Sequence, residues 1–296
     1  MTNIQKLRLE PTSTMAKGED GSIQITFSIP WTLVESSKSK ALEEIAKEIE
    51  IPGFRKGMAP SDKVKSHLSE ARIVEKALGN ILPEALGKAL RKYKLSPAIY
   101  PKFELVSSKE GEDWQIRAVT CELPEIELGD YKARIQSEGR SKNIWTPDKG
   151  SDKPKEPSKE EKEQVVLKIL LEQTKIEIPK LLIGEEVNNR LASLLERTEK
   201  LGLSLENYLT SIGKNSETLR AEYEIQARNT IALELILNKV ALEESLEIKD
   251  KQIDEVISTS SPSPEARLKL DTPEQRRIIT SFLARRAALD SLASLL

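Results

Sequence analysis

The chain has 296 residues, of which 32% are charged and 4% aromatic, and its formal net charge is -2. Its length favours about two domains, and its composition is typical of surface-rich helices rather than of an aromatic-lined ligand pocket. A nearly neutral chain has no overall bias toward nucleic acids or membranes. We therefore expect an elongated, helix-dominated protein.

Cysteine and histidine each occur once, which limits the chemistry that the chain can carry. With Cys121 and His67 alone, the sequence excludes a disulfide within the chain, a CxxC redox pair and a zinc site built from several Cys or His ligands. His67 lies in a short polar helical stretch without a triad around it, so we interpret it as a surface residue. Cys121 falls in a strand pattern and is interpreted as a packed or edge thiol. We predict no catalytic residue, no metal site and no cofactor.

Signals for nucleotides and membranes are missing from the sequence. There is neither a GxxxxGKS/T loop nor a strand-coupled GxGxxG loop, so we expect the protein to act independently of ATP. Residues 1–6 lack the apolar core of a signal peptide, and no apolar run approaches the roughly 18 residues of a membrane span. We expect a soluble, cytoplasmic protein.

The N-terminal part begins with strands and a helix. Apolar residues alternate with polar ones over 23–29, a period of two that predicts a half-buried strand. An earlier partner strand is predicted at 7–10. Pro30 ends the strand and suits the opening of a helix that runs to Glu50.

A second group of elements completes this part. Pro60 begins another helical turn, and helical spacing continues over 73–93, where Pro83 should kink or divide the helix. Strands are predicted at Lys102–Ser107 and Trp114–Cys121. Residues 1–135 therefore read as one α+β domain of strands packed with helices.

Residues 136–158 are rich in Lys, Asp, Glu, Ser and Pro, so they are predicted to form a disordered charged linker. Residues 159–296 read as an all-α domain. Its helix signals are Pro179 at a helix start, Gly202 at a helix end, a short helix over 205–212, Ser216 and Asp250 as caps, a flexible break over 258–264, and a capping-box layout after Thr272.

The most informative feature is a short loop between two predicted helices, Gly53-Phe54-Arg55-Lys56-Gly57. Glycines at both ends, with prolines at 52 and 60, make continuation of a helix or strand unfavourable. Between them, one aromatic ring can bury apolar surface and two cations can bind carboxylate or phosphate groups. The alternative is an ordinary turn whose Phe folds back onto the core.

The segment 85–103 carries five cations and no acid: Lys88, Arg91, Lys92, Lys94 and Lys102. This basic face could contact acidic partners, or it could be an ordinary solvated helix surface.

The stretch from Gly53 to Pro60 resembles the Gly-Phe-Arg-x-Gly-Lys-x-Pro signature of the ribosome-binding domain of trigger factors, which are bacterial ribosome-associated chaperones. Met58 departs from that signature, because the family usually has Lys there. The resemblance continues through 82–86 and 122–126, and less specifically through 178–182 and 202–208. It covers about four fifths of the chain.

The resemblance implies an ATP-independent chaperone that docks beside the ribosome exit tunnel and holds nascent chains to assist folding and export. The ribosome-binding residues implied are Gly53, Phe54, Arg55, Lys56 and Gly57. The implied partners are the large ribosomal subunit, through protein and rRNA at the tunnel exit, and unfolded nascent polypeptides, with a homodimer as an option away from the ribosome. No membrane partner is implied.

One part of the family pattern is missing. Trigger factors normally carry an FKBP-like prolyl isomerase domain between the ribosome-binding strands and the helical arms. Here only the predicted linker stands in that place, so we expect no isomerase activity and no enzyme.

Two alternatives stay open. The first is an RNA-binding or ribosome-assembly factor that uses the basic face, although only Tyr93 and Tyr100 lie nearby as aromatics for base stacking. The second is a residual peptidyl-prolyl isomerase. The side chains that contact clients are not readable from the sequence, because apolar stripes on helices more often form core.

Overall fold

The computed structural model describes residues 10–49, 54, 57, 61–142, 157–260, 263, 267 and 271–296. Contacts divide the chain into two compact units. Unit 1 comprises Met1–Leu123 with Pro179–Leu182, and unit 2 comprises Pro124–Ile178 with Ile183–Leu296.

Unit 1 contains a four-stranded antiparallel sheet with strand order β1-β2-β4-β3. The strands are β1 Thr12–Lys17, β2 Ser22–Ile29, β3 Lys102–Ser107 and β4 Trp114–Cys121. Phe27 of β2 lies opposite Ile116 of β4, and the inward residues of both strands are buried. The period-two pattern of β2 and the bounds of β3 and β4 confirm the sequence prediction.

The partner of β2 lies later in the chain than predicted. It is β1, which pairs Lys17 with Ile23 across a tight turn that contains Gly21 at φ +77°. Such a positive φ favours glycine. Glu10 lies before this strand, and the rest of the predicted strand, 7–9, falls outside the described residues.

In the described part of unit 1 the helices are α1 Trp31–Glu48, α2 Ser61–His67 and α3 Glu70–Tyr93. Helices α1 and α3 cover the sheet through buried residues such as Val34 of α1 and Ala85 of α3. Pro83 does not divide α3, which is continuous. The ring lies on the exposed side, while Leu82 and Leu86 are buried. Their burial offsets the roughly 3 kcal/mol that an interior proline costs a helix.

The described part of unit 2 combines helices with a two-stranded sheet of β5 Ile126–Glu127 and β6 Lys175–Ile176. The helices described there are α4 Tyr131–Lys142, α5 Lys159–Gln173, α6 Lys180–Lys200, α7 Leu205–Ser211, α8 Ser216–Glu243, α9 Asp250–Ser260 and α10 Pro273–Ala293. The start of α6, as far as Leu182, is counted with unit 1. The main core joins α4, α5, α8 and α10 around residues that include Ile135, Leu170, Ile236 and Leu292. A smaller cluster joins α6 to α8 through Ile183, Val187 and Ala227.

Three local features of unit 2 differ from the sequence prediction. The long helix α8 is capped by Asn215, whose side chain accepts from the Thr218 amide at 2.7 Å, so Ser216 is its first helical residue. Helix α9 extends to Ser260, past the start of the predicted flexible break. Helix α5 begins with a capping box between Ser158 and Glu161 that the sequence prediction did not use.

The segment predicted as a disordered linker is partly helical. Helix α4 includes residues 136–142, because Tyr131 and Ile135 at its start are buried in the core of unit 2. Residues 143–156 of that segment lie outside the described residues. The border between units falls at Leu123 and Pro124. The domain limits 1–135 and 159–296 stay a prediction.

Candidate functional site

The Gly53–Gly57 loop lies between α1 and α2. Helix α1 ends at Glu48, and the next residue, Ile49, is extended and donates its amide hydrogen to the carbonyl of Ile45 at 3.0 Å. The next helix, α2, begins at Ser61. Within the predicted site the structure describes Phe54 and Gly57, whereas Gly53, Arg55 and Lys56 lie outside the described residues, as does Met58.

Phe54 lies at a bend with 40% of its surface exposed, outside the buried core of unit 1. Gly57 follows in a turn at φ +80°. A Cβ at Gly57 would meet the carbonyl oxygen of Lys47 at 3.6 Å, an ordinary contact, so φ rather than space favours glycine here. The bend at Phe54 thus leaves part of an aromatic ring accessible.

The basic face on α3 is largely engaged within unit 1. Lys88 lies 3.0 Å from a carboxylate oxygen of Glu84 and 3.5 Å from one of Glu10, and the hydrogen bond to Glu84 raises its pKa. Lys92 donates to the carbonyl of Ser13 at 3.1 Å. Arg91 donates to the carbonyl of its own helix at Gly87. These contacts favour the solvated-surface interpretation for the described part of this face.

The histidine and the cysteine have different surroundings among the residues that the structure describes. His67 is exposed at the end of α2, with a ring nitrogen 2.9 Å from the carbonyl oxygen of Lys63, which confirms its prediction as a surface residue. Cys121 is buried, and burial raises the pKa of its thiol to about 11. A thiol with such a pKa is almost entirely protonated at neutral pH and is a poor nucleophile.

Unit 2 exposes large apolar side chains that sequence reasoning did not identify. Leu242 is 77% exposed and Leu201 is 74% exposed. The other members of this set are Leu195, Leu203, Ile212, Ile225, Ile278 and Phe282. A cleft of about 450 Å³ between the end of α8 and α10 is lined by Leu242, Leu246 and Ala284. No sequence signal separates these residues from core positions, because both occur on amphipathic helices.

Two family models cover most of the chain. The family described as bacterial trigger factor protein (TF) matches residues 12–144, and the one described as bacterial trigger factor protein (TF) C-terminus matches residues 148–294. The chain belongs to the trigger factor family. Because only residues 145–147 separate the two matched segments, no further domain of the trigger factor pattern fits between them.

Known trigger factors resemble parts of the chain in sequence. The trigger factor of Streptococcus pyogenes serotype M5 (strain Manfredo) is 34% identical over 124 residues, which are 42% of this chain and 29% of that protein. The trigger factor of Streptococcus mutans serotype c (strain ATCC 700610 / UA159) is 33% identical over 120 residues, or 40% of this chain and 28% of that protein. Each alignment thus spans less than a third of the relative.

A solved structure supports the fold over nearly the whole chain. It comes from work on promiscuous substrate recognition in folding and assembly activities of the trigger factor chaperone, and it has a TM-score of 0.61 at 13% identity. The match covers 96% of this chain and 99% of that one. The predicted fold class, an α+β part followed by a helical part, is confirmed. Among the helices that the structure describes, none is long and apolar enough to cross a membrane.

Proposed function

We propose that this trigger factor is an ATP-independent, cytoplasmic chaperone that docks at the ribosome exit tunnel through the Gly53–Gly57 loop and holds nascent chains. Membership in the family supports the chaperone role. The observation that carries the docking role is the exposed ring of Phe54 on a turn between α1 and α2, within a sequence that resembles the family's ribosome-binding signature.

The contacts proposed for docking contribute a modest binding free energy. A ring such as that of Phe54 contributes about 2 kcal/mol when an apolar niche buries it. Arg55 and Lys56 each add about 1.5 to 3 kcal/mol where they bind acidic or phosphate groups. After the free-energy cost of association is subtracted, these contributions correspond to roughly micromolar affinity. Such an affinity allows exchange on and off the ribosome. Contacts to rRNA phosphates make the complex sensitive to salt.

Nascent chains are held by the exposed apolar side chains of unit 2. Leu201 and Leu242 offer apolar surface that the unit itself does not cover. Each such contact is weak, but several of them along one unfolded chain act together. Apolar patches of this kind are a common mark of protein-binding surfaces.

The protein is not an enzyme in this proposal. The isomerase that the wider family carries has no matching segment between residues 144 and 148. The engaged basic face gives the RNA-binding alternative little support, because Lys88 and Lys92 already bind groups within unit 1.

Ribosome co-sedimentation tests the docking role. The triple variant Phe54→Ala, Arg55→Ala, Lys56→Ala should pellet at least about tenfold less efficiently than the wild type at moderate salt, because it removes all three proposed contacts. A matched control variant, Tyr100→Ala, Arg72→Ala, Lys109→Ala, removes an exposed aromatic, an arginine and a lysine elsewhere in unit 1 and should pellet normally. Equal pelleting of the loop variant and the wild type would refute docking through this loop.

A further inference from the structure

A surface groove of about 350 Å³ lies between α6 and α8 in unit 2. The side chains that α6 contributes follow a spacing of three to four residues from Glu186 to Arg197, so they share one face of that helix. Helix α8 contributes Tyr223 and Gln226. The volume falls within the range of roughly 300 to 1,000 Å³ that is typical of ligand sites. The exposed apolar side chains that we propose to hold nascent chains do not line this groove.

One arginine of the groove joins the two helices. Arg190 of α6 donates to a carboxylate oxygen of Glu186 on its own helix at 2.7 Å. It also donates to the side-chain oxygens of Gln226 at 3.2 Å and Thr230 at 2.9 Å, both on α8. Its charge and its donors are therefore engaged within the unit, and it forms part of the wall of the groove.

A second arginine of the groove keeps its charge. Arg197 lies on the same face of α6, and no carboxylate in the described part of the chain pairs with its guanidinium. Two carboxylates of α8 near the groove's tyrosine in sequence have other partners, since Glu222 pairs with Lys214 and Glu224 lies 3.6 Å from Arg220. The only carboxylate among the described lining residues is held by the first arginine. The groove thus has one positive charge in excess.

Neutral donors surround this charge. Asn189, Ser193 and Tyr223 line the groove, and their side chains make no hydrogen bond to any residue that the structure describes. The Tyr223 ring packs against the small buried cluster that joins α6 to α8, so the position of its hydroxyl is fixed by the ring. An amide and two hydroxyls can all donate, and a guanidinium donates two parallel hydrogen bonds to an oxyanion.

We propose that this groove binds the phosphate group of a small anionic ligand. Arg197 binds two of the phosphate oxygens, and Asn189, Ser193 and Tyr223 donate to the others. A carboxylate has only two oxygens and would leave some of these donors without a partner, so the donor set favours phosphate. Glu186 does not compete for Arg197, because Arg190 already binds its carboxylate.

Such a ligand would stabilise the pairing of α6 with α8. The buried cluster between these helices consists of Ile183, Val187 and Ala227 among the described residues, which is a small core. A ligand that contacts both helices binds the folded pair and therefore favours it. The site goes beyond the proposed function, because it shares no residue with the docking loop and does not require a nascent chain.

Phosphorus NMR of the full chain with inorganic phosphate gives a direct test. At constant ionic strength, the protein should increase the transverse relaxation rate of the phosphate signal, and unlabelled phenyl phosphate should reverse this effect by competition. Acetate should compete at least about tenfold more weakly, because it lacks the additional oxygens. Phenyl phosphate that competes more strongly than inorganic phosphate would identify an organic phosphate as the ligand, and equal competition would identify the phosphate group alone.

Matched variants locate the site. Arg197→Gln should weaken phosphate binding by at least about tenfold, because it removes the charge that binds two oxygens. Tyr223→Phe keeps the packed ring and removes one donor, so it should weaken binding by about fivefold. Arg228→Gln is the control: it removes an exposed arginine of α8 that does not line the groove and that has no ion pair among the described residues, and it should leave binding unchanged.

Hydrogen exchange measured by mass spectrometry adds a local readout. Phosphate should slow amide exchange in peptides from α6 and α8 of the wild type, should leave α3 of unit 1 unchanged, and should have no effect on Arg197→Gln. The proposal would be overturned by equal weakening in Arg197→Gln and Arg228→Gln, by acetate that competes as well as phenyl phosphate, or by protection outside α6 and α8 alone. None of these outcomes depends on ribosome pelleting, so failure of this proposal and failure of docking are distinguishable.

Discussion

At the scale of single residues, Gly57 is the glycine that ends the loop that we propose for docking. Its φ of +80° lies in the left-handed region, where a Cβ costs roughly 1 to 2 kcal/mol. Because there is space for a Cβ beside Lys47, the penalty of a substitution would come from the backbone alone. The docking that we propose requires the Phe54 ring to keep its orientation, so a change of backbone conformation at Gly57 should weaken it.

We therefore predict that Gly57→Ala weakens ribosome pelleting by about fivefold, because alanine avoids a positive φ and shifts the turn. Gly57→Asn should recover much of the loss, since asparagine tolerates the left-handed region. Co-sedimentation measures the effect, and circular dichroism checks that both variants are folded. Equal pelleting of the alanine and asparagine variants would show that backbone conformation at Gly57 does not control docking.

At the level of secondary structure, α5 and α10 of unit 2 are joined by an ion-pair network. Arg286 of α10 donates two hydrogen bonds to the carboxylate of Glu163 on α5, at 2.7 and 3.2 Å. The side chain of Glu163 is only 14% exposed. Lys159 lies 2.8 Å from Asp290 and 4.0 Å from Glu163, which extends the network. A bidentate, partly buried contact is stronger than a surface pair.

Arg286→Ala should lower the stability of unit 2 by about 1 to 2 kcal/mol, because it leaves the partly buried Glu163 with only a distant lysine. Lys168→Ala is the control: it removes an exposed pair with Glu172 at 3.9 Å on the same helix α5 and should cost about 0.3 kcal/mol. The urea midpoint of helical circular dichroism measures both. If the two variants shift that midpoint equally, the network adds nothing beyond ordinary surface pairs.

The elements also show where sequence reasoning works. Strands β2 and β4 were predicted at their true places because one face of each is buried, which produces a period of two. Strand β1 was not predicted at its true place, because this edge strand is polar and mostly exposed. Its position depends on pairing with β2. Helix α5 begins with Lys159 and several glutamates that resemble the adjoining charged segment, although Ser158 and Glu161 form a capping box.

The candidate site could be predicted only in part from the sequence, for a similar reason. The Gly53–Gly57 loop is continuous in sequence, so its glycines and flanking prolines marked it as a turn with a contact tip. In contrast, a surface cleft of unit 1 is lined by residues from Trp31 to Glu110, which come together only when α1, α2 and α3 pack beside the turn between β3 and β4. The exposure of Leu242 is likewise set by what the other helices leave uncovered.

On the scale of the whole molecule, the two matched family segments leave almost no chain between them. The first family match ends at residue 144, and the second begins at residue 148. An isomerase fold needs a sheet wrapped round a helix and an aromatic pocket, and such a fold does not fit into three residues. The docking and holding of chains that we propose rest on the two segments that are present.

The purified protein should therefore not accelerate cis-trans isomerisation of a proline tetrapeptide. Without a catalyst, this isomerisation takes roughly tens to hundreds of seconds. It should nevertheless suppress aggregation of an unfolded client, because that activity requires only exposed apolar surface such as Leu201 and Leu242. The assay needs a full-length trigger factor with its isomerase domain as positive control. Measurable acceleration by this chain would place catalysis in one of its two units and would contradict the proposal of a chaperone without enzyme activity.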